Sequence, residues 1–190
     1  MASDRRTVLA DAAITVLAEE GTRGLTHRAV DRAAGLPSGT TSAYLRTRTA
    51  LLTALVHRLV ERDQAELQAL GEATPVPRSA EELTEAIAGF TELRLTGDGR
   101  QRSLARYACT VESARHPELR EILVPRDNAA HTAVRAFLAA QGVAEAEARA
   151  LTLLACVDGL VFDRLVGGGH VARQEIRGLV AAALRKPDGD

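Results

Sequence analysis

The segment from Leu25 to Arg48 constrains the fold of this chain more than any other stretch. Thr26 is suited to cap a helix, because its hydroxyl can accept a hydrogen bond from a free amide of the first turn. One apolar face follows, made by Ala29, Val30, Ala33 and Ala34. Gly35 predicts the end of this helix, since glycine readily adopts the positive φ needed just past a helix end. Pro37 suits the opening of a second helix, predicted from about Ser38 to Tyr44.

Two helices joined by a short turn that contains glycine form the helix-turn-helix motif, whose second helix lies in the major groove of DNA. The residues expected to face base edges are Ser38, Thr40, Thr41, Ser42 and Ala43. Phosphate contacts are expected from Thr26, His27, Gly39, Tyr44 and Arg48, partly through helix N-terminal amides. The alternative for each hydroxyl is a local hydrogen bond to the backbone.

The distribution of charge agrees with a DNA-binding N-terminus. The whole chain has a formal net charge of −1, but residues 1–48 hold seven arginines against five acidic residues. The basic excess therefore coincides with the motif. Residues 38–44 contain no arginine, asparagine or glutamine, so bidentate base recognition is not available there. Threonine methyl groups and DNA shape would have to carry more of the recognition.

The pattern resembles the DNA-binding domain of the TetR family of bacterial repressors. The similarity covers about residues 5–56 and lies in Ala34-Gly35-Leu36, Gly39-Thr40, Tyr44, Arg48 and Ala50-Leu51-Leu52. The resemblance implies an all-helical homodimer whose larger C-terminal domain binds a small effector and then releases a double-stranded DNA operator. It also implies that the last two helices form a four-helix bundle across the dimer twofold.

Several positions depart from the family pattern. Asp31 stands where the family usually has alanine, and Thr41 where it has a bulky aliphatic residue. Pro37, Leu45 and Arg48 replace serine or threonine, phenylalanine and lysine, respectively. Asp31 and Thr41 fall where the two helices should touch, so the carboxylate could accept a hydrogen bond from the threonine hydroxyl or from a helix amide. The alternative is that Asp31 points to solvent, as acidic residues mostly do.

The composition predicts an all-α fold of about nine helices. Only 3% of the residues are aromatic, and the helix formers alanine, leucine, arginine and glutamate dominate. We expect a three-helix DNA-binding domain at residues 1–48 and an effector-binding and dimerisation domain at 49–190. Besides the two motif helices, the pattern predicts helices at about 5–20, 47–70, 80–96, 100–115, 117–140, 144–166 and 172–185, with a break near Pro125 and a turn at 97–99.

A small-molecule effector site is expected between the fourth helix and the helices that carry Tyr107 and His131. The candidate polar residues in these otherwise apolar segments are Arg106, Tyr107, Thr110, Asn128 and His131. A mostly apolar cavity with a few polar groups is what such a site requires. A ligand there would press on the fourth helix near Leu67 and Leu70. The alternative is that Arg106 is a surface charge and Tyr107 only packs.

The helix predicted at 144–166 is apolar on more than one face, so it needs a cover on two sides, and a partner subunit could provide one. The expected dimer interface consists of Leu151, Leu154, Val161, Leu165, Ile176, Leu179, Val180 and Ala183. The alternative is that these residues complete a core within one chain. A dimer is favoured because a helix-turn-helix usually binds two half-sites.

Other functions find less support. An enzyme using Asp158, Asp163 and His170 would lack a G-x-S-x-G sequence, a P-loop and any paired metal spacing, so we expect no catalysis, metal or cofactor. A helical ligand carrier without DNA binding is the other alternative. Cys109 and Cys156 are expected to fill the core. No apolar run approaches the ~18 residues of a membrane span and no signal peptide is recognisable, which predicts a cytoplasmic protein.

Overall fold

A computed structural model of the protein describes residues 4–73, 76–123 and 129–185. Within these ranges the chain forms ten α-helices and no β-strand, which confirms the all-α prediction. The helices are α1 (Arg5–Gly24), α2 (His27–Ala33), α3 (Thr40–Tyr44), α4 (Arg48–Ala73), α5 (Ala80–Leu95), α6 (Gly97–Ser113), α7 (Pro117–Leu123), α8 (Ala129–Ala140), α9 (Ala146–Gly167) and α10 (Arg173–Leu184).

Three helix boundaries differ from the sequence prediction. Helix α1 continues past Gly21, which has non-helical backbone angles (φ 70°, ψ −173°) and marks a kink inside the helix. Helix α6 begins at Gly97, inside the segment predicted as a turn, because its positive φ of 48° changes the chain direction within one residue. The helix predicted at 117–140 is represented by α7 and α8, and the break predicted at Pro125 lies outside the described residues.

The first compact unit comprises residues up to 63 together with 97–125. Its core joins α1 to the first half of α4, whose Leu51, Leu55 and Leu59 are fully or almost fully buried. Helices α2 and α6 also pack on α1. The Asp11 carboxylate of α1 accepts two hydrogen bonds from Arg58 of α4, at 2.9 and 3.0 Å. These contacts fix the long helix α4 against the helices that carry the motif.

The second compact unit comprises residues 64–96 and 126–190. Its core is built on α9, which contacts α5, α8 and α10 and contributes Ala150, Leu153 and Val157. Ser79 caps α5 by accepting a hydrogen bond from the Glu82 amide at 3.2 Å. The division between the units falls after residue 63 because the first turns of α4 pack with α1. The functional division that we expect at residue 48 stays a prediction.

Candidate DNA-binding surface and ligand cavity

The turn between α2 and α3 is built from local signals in the sequence. The hydroxyl oxygen of Thr26 accepts a hydrogen bond from the Ala29 amide at 3.2 Å and starts α2. Gly35 and Gly39 have φ values of 63° and 94°, a region that residues with a Cβ rarely adopt. The chain therefore leaves α2 at Gly35 and enters α3 at Gly39, which makes this a helix-turn-helix.

Asp31 holds the start of α3 against α2. Its carboxylate accepts hydrogen bonds from the Gly39 amide at 2.7 Å, the Thr41 amide at 2.7 Å and the Thr41 hydroxyl at 2.6 Å. Both side chains are buried, with Asp31 3% exposed and Thr41 0% exposed. Burial acts to raise the pKa of the Asp31 carboxyl, but the hydrogen bonds from Thr41 and Gly39 outweigh it and hold the pKa below its ordinary value. The predicted hydrogen bond is confirmed, and the alternative of a solvent-facing Asp31 is wrong.

The structure places the predicted base-facing residues on α3 and in the turn before it. Ser38 in the turn and Ser42 and Ala43 on α3 are exposed, and Thr40 is half-buried with its hydroxyl donating to the Pro37 carbonyl at 2.6 Å. Thr41 is a correction, because a fully buried side chain that is bonded to Asp31 is not presented to a base. The accessible surface for base contacts is therefore formed by Ser38, Thr40, Ser42 and Ala43.

Some of the residues predicted to contact phosphates are accessible, and others already form hydrogen bonds within the protein. The exposed Tyr44 ring is 43% accessible, whereas the Thr26 hydroxyl and the Gly39 amide already take part in the hydrogen bonds described above. His27 is half-buried, and its Nε2 donates to the Leu45 carbonyl at 2.6 Å.

The guanidinium of the exposed Arg48 is bonded to the backbone beside the motif. It donates to the carbonyls of Leu25 and Thr22, each at 2.8 Å. Arg28 in the first turn of α2 and Arg46 just after α3 are exposed, and neither side chain forms a hydrogen bond or ion pair with the described part of the chain. Sequence reasoning missed both, although a basic residue next to a motif helix is itself a signal.

A cavity of about 310 Å³ lies within the second unit. Helix α4 contributes Leu67 and Leu70 to its wall, the two residues near which we expect a ligand to press on this helix. The other lining residues are Gly71, Val76, Pro77, Leu83, Ala86, Ile87, Phe90, Ala129, Ala130, Ala133, Val134, Leu154 and Val157. Val76 is 78% exposed, so the cavity reaches solvent beside it. Within the described lining, no side chain carries a polar or charged group.

The predicted effector residues do not line this cavity. Arg106, Tyr107 and Thr110 belong to the first unit, whereas the cavity is formed by residues of the second. Arg106 donates to the Asp63 carboxylate at 2.5 Å, and the Thr110 hydroxyl donates to the Arg106 carbonyl at 2.9 Å. His131 lies on α8 but is buried, with its Nε2 3.3 Å from a carboxylate oxygen of Glu147. Asn128 lies outside the described residues.

The residues predicted for the dimer interface mostly face inward. Val161, Leu165, Ile176, Val180 and Ala183 are buried, the last three of them in the core of the second unit, and the half-buried Leu154 and Leu179 pack against that core. The five buried residues are a correction, because side chains already covered within one chain do not present a surface to a partner. The half-buried Leu154 and Leu179 and the 55% exposed Leu151 stay predictions for the interface.

A different face of α9 is apolar and accessible. It carries Leu151, Ala155, Gly159, Phe162 and Val166, which are all exposed and follow one another at helical spacing. We call these five residues the α9 stripe. Phe162 and Val166 are 48% and 72% exposed, which is unusual for side chains of that size. Cys156 is exposed beside the stripe, so only Cys109 fills the core as predicted.

The described residues thus form an all-helical protein with a helix-turn-helix in one unit and an apolar cavity in the other. In the part of the chain that the structure describes, no helix is long and apolar enough to cross a membrane. Residues 78–186 match the model of a family described as tetracyclin repressor-like, C-terminal domain. The chain therefore belongs to the TetR family of transcriptional regulators.

Solved structures agree with this assignment over nearly the whole chain. A transcriptional regulator from Rhodococcus sp. Rha1 is 26% identical, with a TM-score of 0.74 over 95% of this chain and 94% of the other. The multidrug binding protein EbrR, solved with imidazole, is 26% identical, with a TM-score of 0.70 over 98% of each chain. A TetR-family member from Streptomyces coelicolor A3 is 25% identical, with a TM-score of 0.70 over 96% and 99%. No curated protein sequence is significantly similar to this chain.

Proposed function

We propose that this protein is a transcriptional repressor that binds a palindromic operator as a homodimer and is released from it by a small molecule. The observation that carries the proposal is the fixed and accessible recognition helix. Asp31 holds the start of α3, while Ser38, Ser42 and Ala43 stay exposed at its surface. A helix held in this way can enter a major groove without first being ordered.

Dimerisation is supported by the α9 stripe. An exposed apolar row on a helix marks a surface that another protein covers. A second copy of the chain is the partner we propose, because two helix-turn-helix units bind two half-sites of a palindrome about one helical turn apart. The small residues Ala155 and Gly159 within the stripe allow two helices to approach closely.

Release by a small molecule is supported by the cavity and by its position on α4. One continuous helix runs from Arg48, next to the motif, to Leu67 and Leu70 in the cavity wall. The relative EbrR has been solved in complexes with ethidium and with proflavin, which supports a small-molecule site in this chain. Ligand and operator are then thermodynamically coupled, so the factor by which ligand weakens DNA binding equals the factor by which DNA weakens ligand binding.

The test begins with selection of bound sequences from a random duplex pool by the full chain. Affinity for the selected duplex is then measured by fluorescence anisotropy over a range of salt concentrations. We expect Ser42→Asp to reduce affinity on the order of 100-fold, because it places a negative charge on the surface that meets DNA. Thr132→Asp is the matched control, since Thr132 is exposed on α8 in the other unit.

Selection without enrichment of a sequence would contradict the proposal and favour a ligand carrier that does not bind DNA. Equal losses in Ser42→Asp and Thr132→Asp would also contradict it, since the effect would then follow net charge and not the position of α3.

A further inference from the structure

The described residues that line the cavity in the second unit are chemically uniform. The sides contributed by α4, α5, α8 and α9 consist of leucine, isoleucine, valine, alanine, glycine and Phe90, with Pro77 beside the opening at Val76. A ligand in this site is therefore held by contact with hydrocarbon, which favours molecules whose transfer out of water costs little free energy.

A charged ligand would lose its hydration without receiving a partner from the described side chains of the lining. Transfer of an unpaired ion out of water is costly, and sites that bind ions compensate with an opposite charge, hydrogen bonds or an open aromatic face. Among the described residues that line the cavity, none is acidic or basic, and Phe90 is the one aromatic side chain. The guanidinium of Arg94 already lies over the Phe90 ring, 5.7 Å from its centroid.

We propose that the cavity selects an uncharged, largely hydrocarbon ligand and discriminates against organic cations of the same shape. The inference rests on the proposed function in taking this cavity as the effector site. A water molecule occupies about 30 Å³ in the liquid, so 310 Å³ holds about ten groups of that size, comparable to a small fused aromatic or a short hydrocarbon chain. The ligand would also cover the exposed side chain of Val76.

The test compares probes that have nearly the same shape and differ in charge. The neutral probe is 1-methylnaphthalene, the cation is 1-methylquinolinium and the anion is 1-naphthoate. Each is titrated into the full chain, and affinity is measured directly by isothermal titration calorimetry. We expect the neutral probe to bind at least about 100-fold more tightly than the cation or the anion.

Two pairs of variants locate the binding and test its cause. Ala133 lines the cavity, and Ala136 lies one turn further on the same helix and does not; both are exposed. Ala133→Trp should fill the cavity and abolish binding of the neutral probe, whereas Ala136→Trp should leave it unchanged. Ala133→Glu should bring cation affinity within about tenfold of the neutral affinity by supplying a carboxylate, and Ala136→Glu should not.

The proposal is overturned if 1-methylquinolinium or 1-naphthoate binds wild-type protein as tightly as 1-methylnaphthalene and Ala133→Trp removes that binding. It is also overturned if the neutral probe does not bind, or binds equally well to Ala133→Trp. Operator binding is measured in the same samples, which separates the two proposals. A neutral probe that occupies the cavity without changing DNA affinity would contradict ligand-induced release and leave the selectivity intact.

Discussion

Thr41→Val removes one hydroxyl from the contact between α2 and α3 and keeps the shape of the side chain. The lost bond is 2.6 Å long, fully buried and directed to a carboxylate, and a hydrogen bond to a charged group contributes about 1.5–3 kcal/mol. Asp31 retains the amides of Gly39 and Thr41, so its charge is not left unpaired. We therefore expect Thr41→Val to lower the free energy of unfolding of the first unit by an amount near the lower end of that range.

Asp31→Ala should cost more, because it removes the acceptor of three hydrogen bonds at once. The Thr41 amide and hydroxyl are buried and would be left without that acceptor, at about 1–3 kcal/mol each. The Gly39 amide belongs to an exposed residue and can bond to water instead. An expected loss of about 3–5 kcal/mol follows, and it should be accompanied by fraying of α3.

The assay is urea unfolding followed by circular dichroism, combined with amide hydrogen exchange of α3 to isolate the first unit. A double-mutant cycle of Thr41→Val and Asp31→Ala should give a coupling energy of about 1.5–3 kcal/mol. Ser42→Ala, an exposed change on the same helix, serves as the control and should stay within about 0.5 kcal/mol. A coupling energy within error of zero would refute the stabilising role of this bond.

Three further predictions concern charge and assembly. Wild type should be more stable than Asp31→Asn at neutral pH, and this difference should disappear as the pH falls below about 4. The reason is that the pKa of Asp31 is lower in the folded than in the unfolded protein. A stability difference that stays constant in urea unfolding from about pH 7 to 3 contradicts this prediction. Arg48→Ala should destabilise the first unit by about 1–2 kcal/mol, because it removes the hydrogen bonds from Arg48 to two backbone carbonyls. Arg46→Ala should leave stability unchanged but reduce the magnitude of the salt slope of DNA binding by about 1 per subunit. Phe162→Glu should produce monomers in analytical ultracentrifugation, and a dimer of unchanged strength would show that the α9 stripe is not the interface.

The helix-turn-helix could be predicted because its signals are local. Thr26, Gly35 and the apolar positions between them act within one or two helical turns, where the chemistry of a residue decides the backbone conformation. The bond between Asp31 and Thr41 could also be anticipated, since an acid and a hydroxyl replace apolar residues at two positions that must touch. The complete burial of Thr41 could not be predicted from the sequence, and it removes this side chain from the DNA-facing surface.

The faces of α9 could not be assigned from its sequence. A helix that is apolar around most of its circumference gives no amphipathic direction, so Val161 and Phe162 look equally suited to either role. Only tertiary packing buries Val161 and leaves Phe162 exposed. The cavity could not be located from polar residues, because its described lining carries none, and the predicted effector residue Arg106 pairs with Asp63, 43 positions away.

The attachment of α3 through Asp31 separates the residues that hold the helix from those that read DNA. A five-residue helix is too short to be stable by itself, so its position depends on the Asp31 carboxylate, the backbone amides of Gly39 and Thr41, and the Thr41 hydroxyl. None of these groups is a side chain of Ser38, Ser42 or Ala43. Those three positions can therefore be randomised in a library to obtain regulators with new operator preferences, while the scaffold that presents them stays folded.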